Sequence, residues 1–256
     1  MKRHQLAAQL YTVRSLCQSP EDTHRTLQTI SSIGYAAVEV AGIPIGDPAQ
    51  LRGMIQEAGL AVCAVHGGLD EIFENPTGMI KLMEALSSKA LVYAYPKGFD
   101  ITKAEDVHRL VKNLATAGAI YHEAGIQFCY HHHSVEFTRF GKSTVLDHLL
   151  ATIDPRHLAL ELDTYWVQHG GGTPERWCQR LAQRLPILHL KDYGSVGGTP
   201  TMMEIGNGNL DWDRILPAAE HAGCQWFVVE QDTCPGNPLD SLRISFDFLA
   251  PRFPKA

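Results

Sequence analysis

The stretch LALELDTYWVQHGGGTPERWCQRLAQRLPILHLKD, residues 158–192, begins and ends with a short apolar run. The two runs, 158–165 and 187–192, are rich in branched or aromatic residues. Apolarity without strict alternation is typical of strands buried on both faces, as in parallel sheets. The same kind of run recurs at 5–12, 36–41, 60–66, 90–95, 126–132 and 226–231. The pattern therefore predicts eight buried strands.

Segments of helical character separate these runs. In the clearest one, Ser19 precedes Pro20 and Gly34 closes the segment, which is the expected order of a cap, a first-turn proline and a terminal glycine. The plan recurs at 48–58 before Gly59, and again from 210–212 to Gly223. Strand starts are 24 to 39 residues apart, about one βα unit. We therefore predict an α/β fold: a single (β/α)8 TIM barrel over residues 1–256.

The glycine pattern argues against an open nucleotide-binding sheet. No G-x-G-x-x-G follows the first strand, and Gly170–Gly172 is interpreted as a loop. The longest insertion is predicted at 193–210, after the seventh strand. No linker or second domain is indicated.

Composition narrows the class of protein. The chain is 45% hydrophobic and 20% charged with a net charge of −6, and it has no dense basic run, so nucleic-acid binding is not expected. Its six cysteines form no C-x-x-C pair, and because Cys63, Cys129 and Cys224 lie in or beside apolar runs, buried free thiols are predicted. Neither a signal peptide nor an apolar run of membrane-spanning length is recognised. We expect a cytoplasmic, enzyme-sized protein that does not enter membranes.

Chemistry-bearing residues follow four consecutive predicted strands, at the barrel end where active sites lie. They are Tyr130–His133, Glu161–Asp163, His189–Asp192 and Glu230–Asp232. Residues two apart on a strand face the same way, which pairs His131 with His133, Glu161 with Asp163 and His189 with Lys191. Ionised groups inside a barrel are costly unless they are paired or bind a metal. Two carboxylates and two imidazoles suit Mn²⁺, Zn²⁺, Fe²⁺ or Co²⁺.

Simpler interpretations exist for each residue taken singly. A lone histidine at a strand end is more often a structural hydrogen-bonding group. Asp163 could cap a helix, and Glu230 could pair with Lys191 without a metal. His132 is predicted to point away from its neighbours.

Other polar and aromatic residues are candidates for contact with a substrate. Glu39 and His66 lie on the opposite wall, where they could bind substrate hydroxyls or form a buried polar network. His133 is a further candidate for substrate binding. Trp166, Trp177 and Tyr193 could form an apolar wall or belong to the core, while Gln9 and Tyr11 end the first strand.

Five segments resemble the xylose-isomerase-like superfamily of TIM barrels, in particular its sugar phosphate isomerase/epimerase branch. They are YHHHSVEF (130–137), ELDTYWVQHGG (161–171), HLKDY (189–193), GNGNLDW (206–212) and VVEQD (228–232). The resemblance implies a divalent metal held by Asp163, His189 and Glu230. His131 stands where the family usually has Glu, so it could bind the metal or act as a base. Glu161 could supply the missing carboxylate; Glu136, past the strand end, is a weaker candidate.

The resemblance implies a divalent-metal-dependent sugar isomerase or epimerase that transfers a proton next to a carbonyl. Glu230 is the first choice for the base, with His131 or Glu161 returning the proton and Lys191 neutralising charge. Mn²⁺ is the first choice of metal, with Zn²⁺, Co²⁺, Fe²⁺ and Mg²⁺ as alternatives. The partner is a small carbohydrate, with phosphorylation left open; a homo-oligomer is compatible with the sequence.

Three alternatives share the barrel. One is a dehydratase or keto-glycoside lyase working through the same enediolate. Another is a non-catalytic sugar-binding or partner subunit. The third, an apurinic-site endonuclease, needs a basic DNA groove that the net charge of −6 disfavours.

Overall fold

Eight parallel strands close into a barrel in the computed structural model, which describes residues 1–254. The strands are β1 (Leu6–Gln9), β2 (Ala37–Val40), β3 (Ala61–His66), β4 (Ala90–Tyr93), β5 (Gln127–His131), β6 (Ala159–Asp163), β7 (Ile187–Leu190) and β8 (Trp226–Val229). Neighbours in sequence are neighbours in space, and β8 pairs with β1 through Ala7 and Val228. The predicted (β/α)8 fold is confirmed, and each strand lies within its predicted run.

Helices surround the barrel. They are α1 (Pro20–Ile33), α2 (Pro48–Glu57), α3 (Glu71–Glu74), α4 (Pro76–Leu86), α5 (Ala104–Glu123), α6 (Val145–Thr152), α7 (Thr164–His169), α8 (Pro174–Arg180), α9 (Trp212–His221) and α10 (Pro238–Leu249). Short 3₁₀ turns occur at Arg3–Gln5, Arg14–Leu16, Val135–Phe137 and Ala250–Arg252. Ser19 caps α1 by accepting from the Asp22 amide, and Gly34 ends it at a φ of 121°. The three helices predicted from caps and glycines are thus confirmed.

Two separate cores hold the fold together. Leucine, isoleucine and aromatic side chains fill the space between barrel and helices. Small side chains, including Ala7, Ala64 and Cys129, fill the lower barrel interior. The barrel interior at this level is therefore packed rather than open. All six cysteines are free, and Cys234 alone among them is not fully buried.

The insertion predicted at 193–210 contains a hairpin in which Asp192–Val196 pairs antiparallel with Thr199–Met203. A second, shorter hairpin joins Arg139–Phe140 to Ser143–Thr144. Within residues 1–254, no helix is both long and apolar enough to cross a membrane.

Candidate metal centre

Four strand-end side chains converge at the C-terminal mouth of the barrel. His131, Asp163, His189 and Glu230 each place a ligand atom within 4.8 Å of the other three, and all four residues are buried. They come from β5, β6, β7 and the residue after β8. The sequence predicted these four as metal ligands, and the fold brings them together; we call them the outer set.

Lys191 lies among the carboxylates of this mouth. Its Nζ is 2.8 Å from Glu230 Oε2, 3.1 Å from Asp163 Oδ2 and 2.8 Å from Asp232 Oδ2. Burial alone would lower the pKa of Lys191, but the three carboxylates outweigh it and raise the pKa. The Lys191–Glu230 ion pair considered from sequence therefore exists. Asp232 was named at this strand end but given no role, although its spacing of two from Glu230 placed both on one face.

The acids at the mouth have pKa values shifted in opposite directions. Burial raises the pKa of Asp163 to about 6, against the opposing effect of Lys191. For Glu230, burial is outweighed by Lys191 and His189, which lower the pKa to about 2. Burial and the nearby Glu230 raise the pKa of Asp232. Divergent pKa values of neighbouring acids are the usual sign of separate acid and base roles.

Asp163 has two functions in the fold. Its Oδ1 accepts from the Trp166 amide at 2.9 Å, which caps α7. Its Oδ2 faces the cluster and accepts no aligned hydrogen bond among the described residues, although Lys191 is near. The cap therefore fixes the carboxylate and leaves one oxygen directed at the outer set.

A second polar layer lies beneath the outer set. Glu161 Oε1 is 3.0 Å from His66 Nε2, 2.9 Å from His131 Nδ1 and 3.0 Å from His189 Nε2. Glu39 Oε2 accepts from Gln9 at 2.8 Å and contacts His189 Nε2 at 2.8 Å. The buried network considered for Glu39 and His66 is present, and Gln9 belongs to it.

His189 connects the two layers through its ring nitrogens. Nδ1 lies 3.0 Å from Glu230 Oε2 in the outer set, and Nε2 faces Glu39 and Glu161 below. Burial would lower the pKa of His189, but Glu161 and Glu39 outweigh it and raise the pKa. For His131, burial and the nearby His189 lower the pKa well below its usual range.

The remaining histidines of the strand-five motif lie outside the outer set. His132 is fully buried and its Nε2 accepts from the Asp163 amide at 3.1 Å, which confirms that it points away. His133 packs against Trp166, with ring centroids 5.2 Å apart, and its Nδ1 is unpartnered among residues 1–254. Trp166 lies beside Lys191 and the mouth, whereas Trp177 packs against Phe137 in the core.

Glu136 is buried behind the mouth and does not join the cluster. Tyr130 Oη donates to its Oε1 at 2.7 Å and the His133 amide to its Oε2 at 2.8 Å. Burial nevertheless raises the pKa of Glu136 from 4.5 to about 7. The folded state thus favours the protonated acid.

This gives a pH-dependent stability. A raised pKa in the folded state contributes stability below the unfolded value of 4.5, and this contribution is lost as pH rises through about 7. Between pH 5 and pH 8, we expect the free energy of unfolding of Glu136→Gln to rise by on the order of 2 kcal/mol relative to that of wild type. Urea unfolding of both proteins at several pH values checks this; a constant difference would contradict it.

Asp192 was not foreseen as a structural residue. Its Oδ2 accepts from the Gly206 amide at 2.8 Å, the Gly208 amide at 3.2 Å and Trp212 Nε1 at 2.8 Å. These bonds fasten the GNGNLDW segment to the residue next to Lys191. The segment is therefore fixed beside the strand end that carries Lys191.

The donor set fits a divalent ion by its chemistry. Two carboxylates and two imidazoles are ligands of first-row divalent metals. Among the described residues, Asp163 Oδ2 and His131 Nδ1 are buried without an aligned hydrogen bond. Both residues belong to the outer set; a cation there would satisfy Asp163 Oδ2, whereas His131 Nδ1 faces Glu161 in the layer below.

A barrel with carboxylates and imidazoles at four neighbouring strand ends defines the class of protein. The chain belongs to the xylose isomerase-like TIM barrel family, whose model matches residues 27–252. The family named from sequence is confirmed.

Individual relatives differ in their activities. The chain is 22% identical over 249 residues to inosose dehydratase of Klebsiella pneumoniae, covering 81% of this chain and 82% of that one. It is 24% identical to inosose dehydratase of Geobacillus kaustophilus, covering 66% of this chain and 61% of that one. A sugar phosphate isomerase/epimerase from Parabacteroides distasonis superimposes with a TM-score of 0.80 at 21% identity, covering 97% of this chain and 94% of that one. At that identity the structural likeness shows the fold.

Proposed function

We propose that the chain is a metal-dependent dehydratase that removes water from a keto-cyclitol or a related keto-sugar. The observation that carries the proposal is the outer set, with Lys191 and Asp232 beside it. The inosose dehydratases among its relatives support dehydration over the isomerase or epimerase activity preferred from sequence.

His131, Asp163, His189 and Glu230 would hold the ion, with Mn²⁺ as first choice and Zn²⁺, Co²⁺, Fe²⁺ or Mg²⁺ as alternatives. A divalent ion in such a site supplies Lewis acidity toward a carbonyl oxygen. The protein's part is to position the substrate and to move protons.

Glu230 acts as the base. Its low pKa keeps it ionised at neutral pH, and it is held by Lys191 and His189. It takes the proton from the carbon next to the carbonyl, and the electron pair of that C–H bond passes into an enediolate. Lys191, which is protonated, neutralises the negative charge that develops.

Asp232 supplies the proton to the leaving hydroxyl. The C–O bond at the β carbon breaks, the enediolate electrons form the new C=C bond, and hydroxide leaves as water with the proton of Asp232. Burial and Glu230 raise the pKa of Asp232 above its ordinary value, and its Oδ2 lies 2.8 Å from Lys191 Nζ at the mouth. Proton transfers of this kind contribute roughly 10²–10⁴-fold each.

The asymmetry of this acid–base pair favours elimination. Epimerisation requires a second group that returns a proton to carbon on the opposite face. His131 is poorly suited to that role, because burial holds its pKa low and its Nδ1 faces Glu161. Glu161 is enclosed by three imidazoles in the layer below.

The test is incubation of the Mn²⁺-loaded protein with an inosose and, separately, with a neutral ketohexose, followed by mass spectrometry in H₂O and D₂O. Loss of one water from the inosose supports the proposal. Deuterium incorporation at an epimerised carbon without loss of water identifies an epimerase. Binding without any exchange or turnover supports the non-catalytic subunit.

A further inference from the structure

The layer beneath the outer set has its own group of metal-binding side chains. His66, His131, Glu161 and His189 each offer a ligand atom within 4.8 Å of the others. We call them the inner set; it shares His131 and His189 with the outer set and adds two residues that the proposed reaction does not use.

The contacts around Glu161 are those of converging ligands. Three imidazole nitrogens lie 2.9 to 3.0 Å from its Oε1. The His131 Nδ1 contact is not aligned as a hydrogen bond, although the two atoms are 2.9 Å apart. A close approach of two electron-rich atoms without a shared proton is favourable when a cation lies between them.

Unpartnered oxygens in the same layer point to the same conclusion. Among the described residues, Glu161 Oε2 and Glu39 Oε1 are buried and accept no hydrogen bond. Glu39, Glu161, Asp163 and Glu230 are all buried, with Lys191 as the buried ammonium beside them. Four buried carboxylates with one ammonium among them favour further positive charge in this interior.

We propose that the inner set binds a second divalent transition-metal ion. His189 would bridge the two ions as an imidazolate, with both ring protons released to solvent, because its Nε2 faces the inner set while its Nδ1 faces Glu230. Three imidazoles and one carboxylate favour Zn²⁺, Co²⁺ or Cu²⁺, whereas the outer set has more oxygen ligands and suits Mn²⁺ better.

The test is Co²⁺ binding to the whole chain, measured as equivalents retained after equilibrium dialysis. Glu161→Gln and His66→Gln change the inner set alone, and Asp163→Asn changes the outer set alone. We expect two equivalents in wild type and one in each variant. Circular dichroism confirms that each variant is folded.

The position of the ion is then read from anomalous diffraction of Co²⁺-soaked crystals. A peak within bonding distance of Glu161 and His66 supports the inner site. A single peak beside Asp163 and Glu230, with unchanged Co²⁺ content in Glu161→Gln, overturns it and leaves the proposed function intact. An inner peak with no dehydration of any substrate supports the inner site while contradicting the proposed function.

Discussion

Replacing Glu230 by Gln is expected to lower kcat for dehydration by about 10²–10⁴-fold, which is the usual contribution of a general base. The amide keeps the shape of the side chain and an oxygen near Lys191, but it cannot accept the proton. Because Glu230 is also a proposed metal ligand, metal content is measured on the same samples, at a Mn²⁺ concentration that saturates the variant. Solvent exchange of the α-proton should fall in parallel with kcat.

Glu204→Gln is a matched control. Glu204 is also a buried glutamate, but it bonds to Ser241 and lies outside both ligand sets. We expect its kcat to stay near wild type. Near-normal turnover in Glu230→Gln with metal bound would exclude Glu230 as the base.

Replacing Lys191 by Met is expected to destabilise the protein by about 3–5 kcal/mol, because it leaves buried carboxylates without their cation. Lys191 is 1% exposed and contacts three carboxylates. Urea unfolding of metal-free protein at pH 7 measures the change. The same variant should lose dehydration activity even at saturating metal, since the enediolate charge is no longer neutralised.

Lys97→Met provides the comparison. Lys97 and its partner Asp70 are each 58% exposed, so their ion pair is solvated and its loss should change stability by less than about 1 kcal/mol. If the two substitutions changed stability equally, the charge of Lys191 would not be what stabilises the three carboxylates around it.

The sequence allowed prediction of the barrel and of the outer set for a simple reason. Short apolar runs at regular spacing mark parallel strands, and a spacing of two identifies residues on one face. A spacing of two shows that two residues lie on the same face of a strand, but it does not show how far each lies from the mouth of the barrel. Glu161 and Asp163 therefore could not be assigned to different layers. Only the paired register, Asp163 with His189 and Glu161 with His131, separates them.

Contacts across the barrel were beyond prediction from pattern. Glu39 reaches His189 from 150 positions away in the chain, because closure of the barrel brings β2 within three strands of β7 around the ring. The pairing of β2 with β3 also shifts its register between Val38 and Glu39. Nothing in the sequence near these residues predicts this shift. The structural role of Asp192 could not be predicted either, since its hydrogen-bond partners become its neighbours only when the 204–212 segment folds back.

The most direct measurement of the central claim is the metal content of wild type and His189→Ala after incubation with Mn²⁺ and dialysis. His189 contributes to both ligand sets, so its removal disrupts each of them. His108→Ala, at an exposed position, controls for adventitious binding to histidine. The account predicts at least one equivalent in wild type and His108→Ala and almost none in His189→Ala. No metal in wild type, or equal content in all three proteins, would contradict it.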